Sequence, residues 1–323
     1  LKQTHEIVKL LRIIIDLLNI QTTIITETNL PEKENLSYFG KNDEANWIYN
    51  FSLPPLLIHA LLFENSSYLN KWSKNLPNTK NGNSYLNFIA SHDGIGMRPT
   101  EGILSKKILN NFLKRLKKNG SKFSYRKVQN SKKKVYEANI TVFDALKKSD
   151  CDPNGEFYLE RFISAHAIMV SFDGIPAIYF NSIFGTSNDE AKFIITGNNR
   201  DVNRYKWNYK NITRKLKNYK SKQSIFYQNI CNLINIRRKQ KAFHPDASRL
   251  NINFGKKIYG FKRVSKDKKQ TIICITNLSS RIQKTKIFKK NQKMYNLMNS
   301  KVLIKNEKFL VLKPFETVWL SNV

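Results

Sequence analysis

The chain has 323 residues, 41% hydrophobic and 12% aromatic, enough for a sizeable core in one to three domains and too apolar for a disordered chain. Its formal net charge of +32 would attract phosphate polymers or anionic membranes, but the lysines are spread along the sequence, with one concentration over 106–134, and no nucleic-acid motif accompanies them. We read this charge as solvated surface and expect neither a nucleic-acid nor a membrane partner.

The sequence opens, without Met, on LKQTHEIVKLLRIIIDLLNI. Ile7, Leu10, Leu11, Ile14, Leu17 and Leu18 recur at helical spacing and are interrupted by Arg12 and Asp16, which predicts a helix ending near Asn19 with this face buried, not a membrane span. Beginning inside a helical pattern, the chain is expected to have lost something upstream. A β-branched strand follows at 22–26 (TTIIT), and the apolar run 54–63 is too short to cross a bilayer. A second strand is expected at 85–90 (YLNFIA), then a basic stretch at about 105–135 that reads as a helix and surface loop. A helix over 160–172 feeds a third strand at 175–180 (IPAIYF), and a further helix over 224–238 ends on Arg237, Arg238 and Lys239, which suit the negative end of its dipole. Helices alternating with short strands up to residue 247 indicate a parallel α/β region. From 248 the pattern changes to period two, in KKIYGFKRV, QTIICITNL, QKTKIF, KMYNL and FLVLKPFETVWL, which predicts a small all-β domain. Cys151, Cys231 and Cys274 lie far apart with no metal spacing, which fits buried thiols in a reducing, cytoplasmic setting better than a disulfide framework.

Polar residues end two of the expected parallel strands: Glu27 after TTIIT, and His92-Asp93 after YLNFIAS. If the strands form a barrel, their C-terminal ends converge, and two carboxylates with a His there are candidates for acid/base chemistry. A Glu opening a loop is more commonly a cap or ion-pair partner, and Asp93 followed by Gly94 also suits an ordinary tight turn. His59 and His166 fall in apolar helical runs and read as core or helix-face residues. His5 reads as a helix-start residue and His244 as a loop residue, and nothing suggests a metal site or a cofactor.

The stretch LNFIASHDGIGMRPTEG at 86–102 strongly resembles the sucrose-phosphorylase-like subfamily of glycoside hydrolase family 13. THEIVKLLR, ITETNLPEKENLSYFG, YNFSLPPLLIHALL, YEANITVFDAL, ERFISAHAIM, GIPAIYFNSIFG, NRDVNRYKW and IRRKQKAFHP follow the family in the same order, up to about residue 280. The resemblance implies the C-terminal half of a (β/α)8 TIM barrel over 1–247, about strand five to helix eight with a loop insertion near 105–158. A C-terminal β-sandwich-like domain would occupy 248–323. It implies Glu27 as the acid/base, Asp93 as the transition-state stabiliser and His92 as a sugar-hydroxyl ligand. Tyr136 and Glu137 match a mobile loop that contacts acceptor or phosphate. Arg204, and less closely Arg200, match an arginine near the glucosyl site.

The family's nucleophile lies in an R-x-D-A-type motif upstream of the first helix here, and no such motif occurs in this sequence. Asp144 in VFDALKK resembles it superficially, but the resemblance places that segment in the acceptor loop and the helix after it. The sequence therefore reads as a fragment. Sucrose phosphorylases usually carry a His two positions after the acid/base and a Gln after the loop Tyr. Here those positions are Asn29 and Glu137, which look more like the glucosylglycerate phosphorylases of the subfamily. The implied activity is transfer of glucosyl from a small glucoside, glucosylglycerate before sucrose, to inorganic phosphate. A glucosidase or transglucosidase on the same scaffold, or an inactive fragment, are the alternatives. The sequence leaves the oligomeric state open.

Overall fold

The computed structural model describes residues 2–79, 82–127, 133–287, 294–299, 301–303 and 309–323. Helix α1 (Lys2–Leu17) leads to β1 (Ile25–Thr26), β2 (Trp47–Tyr49) and β3 (Ser84–Asn87). Next come β4 (Ile95–Gly96), β5 (Lys122–Lys127) and β6 (Lys133–Asn139), which form a separate antiparallel sheet in the order β4-β6-β5. Then β7 (Ile175–Pro176) returns to the first sheet, whose order is β1-β2-β3-β7 with all pairs parallel. Helix Leu53–Leu62, with Pro54 and Pro55 where free N–H groups are not needed, is buried along its whole length and packs on helices Ser67–Asn75 and Tyr158–Ser171. Helices Tyr158–Ser171 and Lys222–Arg238 pack against each other in the same core.

The remaining strands are β8 (Ser248–Ile252), β9 (Ile258–Val264), β10 (Thr271–Asn277), β11 (Gln283–Thr285), β12 (Met294–Asn296), β13 (Lys301–Leu303), β14 (Leu310–Leu312) and β15 (Thr317–Ser321). Six form an antiparallel sheet, β13-β12-β15-β10-β9-β8, and β11 pairs with β14. Leu310 and Leu312 of the smaller sheet share a core with Ile258, Ile275, Met294, Val318 and Leu320 of the larger one, a sandwich-like packing. Phe261, Cys274, Phe315 and Trp319 instead join the main core with Phe162 and Phe172. Polar bonds cross the same seam: Glu64 accepts from the N–H and hydroxyl of Ser280, and Arg263 donates to Ser171 O at 2.9 Å.

Five expectations need correction, the first being that the thiols are buried: Cys274 is, but Cys231 is half-buried and Cys151 exposed. The apolar stripe of α1 is not buried, Leu10 and Leu17 being 57% and 80% exposed. The helix is held through its other side instead, where His5 Nδ1 meets Glu44 Oε2 at 2.6 Å and its ring stacks on Tyr38, and no described element covers the stripe. The basic stretch after helix Lys106–Lys118 is the β5–β6 hairpin rather than a loop, although its residues 128–132 lie outside the described set, as do Phe288 of QKTKIF and Lys293 of KMYNL. The third strand covers only Ile175–Pro176, with Ala177 N still donating to Asn87 O at 2.7 Å, and Phe180 opens a short helix, Phe180–Ile183. Arg237 does not serve its helix end. It turns inward to the carbonyls of Val170, Phe172 and Gly174, and burial, with Arg263 nearby, pulls its guanidinium down to about 9.

Candidate active site

Since β1, β2 and β3 run parallel, the residues that follow them emerge on one side of the sheet. Glu27 comes directly after β1, and His92 and Asp93 lie on the turn after β3. Their carboxylate and imidazole ligand atoms all lie within 4.8 Å of one another. The turn is built locally: Asp93 N donates to Ser91 Oγ at 3.1 Å. Gly94 then passes so close to β6 that a Cβ there would sit 2.6 Å from Asn139 Nδ2 and 3.0 Å from Ala138 O, so the chain can turn here only without a side chain.

Asp93 carries the densest electrostatics. Its Oδ1 receives Arg200 Nη1 at 2.8 Å and Arg204 Nη2 at 3.3 Å, with His92 Nε2 at 3.5 Å. Arg204 Nε also donates to His92 O at 2.7 Å. On its other side Arg200 makes a two-pronged pair with Glu137, Nη2 to Oε1 at 2.9 Å and Nε to Oε2 at 3.3 Å. Burial acts against the Arg200 charge, but Glu137, then Asp93 and Tyr136, outweigh it and raise its pKa. Both arginines sit on or beside the 3-10 segment Asn199–Asn203, which Asn198 caps by accepting from Arg200 N at 3.2 Å. Asn199 Nδ2 anchors that segment to the hairpin at Phe123 O, 3.0 Å away.

Each residue singled out in the sequence can thus be placed. Glu27, His92, Asp93, Arg200, Arg204 and Glu137 form one linked group, and Tyr136 acts on Arg200 from the same strand as Glu137. Asn29 packs against β4: a Cβ at Gly96, the partner of Glu137 in the ladder, would lie 2.5 Å from Asn29 Oδ1. That Oδ1 is buried and has no hydrogen-bond partner among the described residues. Tyr49, at the end of β2, was not singled out. Burial, then the charges of Glu27 and Asp93, raise its phenol pKa, and Phe51 and Phe88 flank its ring at 5.7 and 5.4 Å. Its sequence signals are that it opens the YNFSLPPLLIHALL stretch and closes a strand too short for periodicity to reveal.

A carboxyl beside a second, arginine-clasped carboxylate can trade a proton while the other holds its charge. A metal ion is a poor fit for the Glu27, His92 and Asp93 set, because two guanidinium cations already occupy Asp93 and would oppose a third positive charge.

No protein-family model matches the chain. It is 37% identical to the glucosylglycerate phosphorylase of Escherichia coli K12 over 325 residues, covering 99% of this chain and 56% of that protein. The enzyme of the same description from Allomeiothermus silvanus is 31% identical, over 100% of this chain and 56% of its own length. The chain thus spans about half the length of the curated relatives it matches. Among solved structures, a sucrose 6F-phosphate phosphorylase from Thermoanaerobacter thermosaccharolyticum superposes with a TM-score of 0.65 at 20% identity, over 79% of this chain and 48% of that one. An α-amylase from H. orenii does so at 0.65 and 14% identity, over 99% and 57%. These likenesses establish the fold: four parallel strands and their helices as part of a (β/α)8 barrel, followed by a sheet-rich region.

Proposed function

We propose that the chain belongs to the sucrose-phosphorylase-like group of glycoside hydrolase family 13 and that its protein is a retaining α-glucoside phosphorylase, a reading supported by the relatives at 31–37% identity. The observation that carries this reading is the convergence of Glu27, His92 and Asp93 at the C-terminal side of the parallel strands, with Asp93 clasped by Arg200 and Arg204. In this reading the Glu27 carboxyl protonates the glycosidic oxygen as a nucleophilic carboxylate attacks the anomeric carbon. Phosphate then attacks that carbon, the nucleophile departs, and Glu27 receives the proton if the phosphate oxygen brings one. The product is α-glucose 1-phosphate. Retention requires the nucleophile roughly 5–5.5 Å from the acid/base. The family resemblance assigns it to a segment upstream of residue 1, so the activity is that of a polypeptide in which this chain is joined to such a segment.

Asp93 serves as the fixed anion that binds the sugar hydroxyls more tightly as the ring becomes oxocarbenium-like, with His92 as a hydroxyl ligand. Tyr136, Glu137, Asn29, Arg200 and Arg204 line the glucosyl and acceptor sides, where cationic groups favour phosphate over water. Glucosylglycerate is the first choice of substrate, supported by Asn29 and Glu137 and by the names of the relatives at 31–37% identity, and sucrose is the second. Residues 1–247 are assigned to the barrel and 248–323 to the all-β domain. A cytoplasmic location is in keeping with three free cysteines; among the described residues no helix is long and apolar enough to cross a membrane. The test is release of glucose 1-phosphate from glucosylglycerate and sucrose by the complete protein, with and without phosphate. Turnover that ignores phosphate would replace this reading with a hydrolase or transglucosidase.

A further inference from the structure

We infer that Asn203 is the positioning residue for Asp93, acting through the backbone of the turn that carries it. This inference rests on the reading of Asp93 as the charge stabiliser. Asn203 is buried, and its Nδ2 faces three successive carbonyls, Ser91 O at 3.3 Å, His92 O at 3.2 Å and Asp93 O at 2.9 Å. An amide nitrogen has two hydrogens, so they are shared across the whole turn and not spent on one residue. The main chain that carries this side chain is tied down as well, because Asn203 O accepts from the Tyr179 hydroxyl at 3.1 Å, whereas the side-chain Oδ1 has no partner among the described residues.

The grip complements the arginines. Arg200 and Arg204 hold the Asp93 carboxylate, one from each end of the segment, while Asn203 between them holds the main chain beneath it. Two cations alone would pull a carboxylate on a loose turn toward themselves and away from a sugar. A clamp on the three carbonyls resists that pull and leaves the second carboxylate oxygen free to face a ligand. The side chain must therefore be a short double donor. Asp at this position would set an acceptor against three acceptors, and Ala would leave them without a donor.

Two measurements test this. On the chain itself, Asn203→Ala should speed amide hydrogen exchange in the peptide spanning 91–97 at least tenfold and leave helix Leu53–Leu62 unchanged. No change in that turn would overturn the clamp. Faster exchange throughout would also overturn it, by making Asn203 a general support of the fold. In the complete protein, Asn203→Asp should lower kcat by about 10²-fold with little change in KM, the size of effect that misplacing a catalytic group produces. That variant should recover activity at low pH, where its protonated carboxyl regains one donor, and lose it as pH rises. Asn203→Ala should show no such recovery. If Asn203 acts through Asp93, the double variant with Asp93→Asn loses no more than Asp93→Asn alone, whereas losses that multiply would overturn the inference. If Asp93→Asn is itself fully active, the functional reading falls, and the exchange result still decides the clamp.

Discussion

Two charged clusters sit at opposite ends of the same parallel sheet. After β3, Asp93 meets Arg200 and Arg204 in the open, Arg200 having a 38% exposed side chain. Before β7, Asp173 meets Arg249 Nε at 2.5 Å in a sealed environment, its own side chain 3% exposed, with Arg237 and Arg263 close by. The residue types are the same and the electrostatics opposite. Burial drags the guanidiniums of Arg237 and Arg263 down, to about 9 and about 10, whereas flanking carboxylates raise Arg200. At the sealed end Arg237 and Arg263 also donate to main-chain carbonyls, among them Gly174 O and Ser171 O, which hold them in place. The open cluster is reachable from solvent, and its hydrogen-bonding capacity is available to a ligand. Composition alone does not separate a site from a structural ion pair; access to water does.

The largest effect expected from this contrast is on turnover at the open end. In the complete protein, Glu27→Gln should lower activity on an ordinary glucoside by about 10³- to 10⁴-fold, while a glucosyl fluoride, which needs little protonation, still forms the glucosyl-enzyme. Asp93→Asn should lose similarly on both donors, because charge stabilisation serves every leaving group. Burst kinetics with both donors would read the difference, and fluoride rescue of Asp93→Asn alone would reverse the two roles. Neither change should move the unfolding midpoint by more than about 0.5 kcal/mol equivalent.

At the sealed end the expectation inverts. Asp173→Asn leaves Arg249 buried without its counter-charge and should destabilise the fold by about 3–5 kcal/mol, read as a shift of the urea midpoint at constant slope. A loss below about 1 kcal/mol would show that the sealed cluster tolerates an uncompensated charge, erasing the distinction drawn from burial.

A smaller effect should come from histidines enclosed like the sealed cluster. Burial lowers His59 and His166 to about 4. The folded chain therefore binds these protons less readily than the unfolded chain, whose histidines titrate near 6.5. Stability should be full above about pH 6.5 and fall as pH drops toward 4, at roughly 1 kcal/mol per pH unit for each histidine. Urea titrations across that range would read it, and His59→Phe should remove about half the slope. A flat profile would mean that water reaches these rings.

The smallest effect concerns the lysines. If they are solvated, binding to random duplex DNA should be weak, unspecific and lost at moderate salt. Fluorescence anisotropy showing submicromolar binding at physiological salt would instead point to a polyanion partner.

What was legible in the sequence follows the same physical line. Long amphipathic or apolar helices were visible because many residues repeat one period, and Glu27 and Asp93 stood out because motifs flank them. Strand β2 escaped because three residues carry no period, and Tyr49 went with it. The Arg200–Glu137 pair and the Asn203 grip escaped because their partners lie 63 and about 110 residues away. The α1 stripe misled because periodicity marks a face that can be covered but not what covers it.

Strand β15 has a consequence for how the molecule is made. It lies inside the six-stranded sheet between β12 and β10, its Trp319 entering the main core and its Val318 and Leu320 the sandwich core. Helix Tyr158–Ser171, translated some 150 residues earlier, waits for that tryptophan and for Phe315 before its surroundings are complete. Sealing is therefore a late event on the ribosome, and long-range pairing of this kind is slow. A nascent chain halted before Thr317 would display both unfinished cores at once, making it a client for chaperones and proteases instead of a shorter working protein.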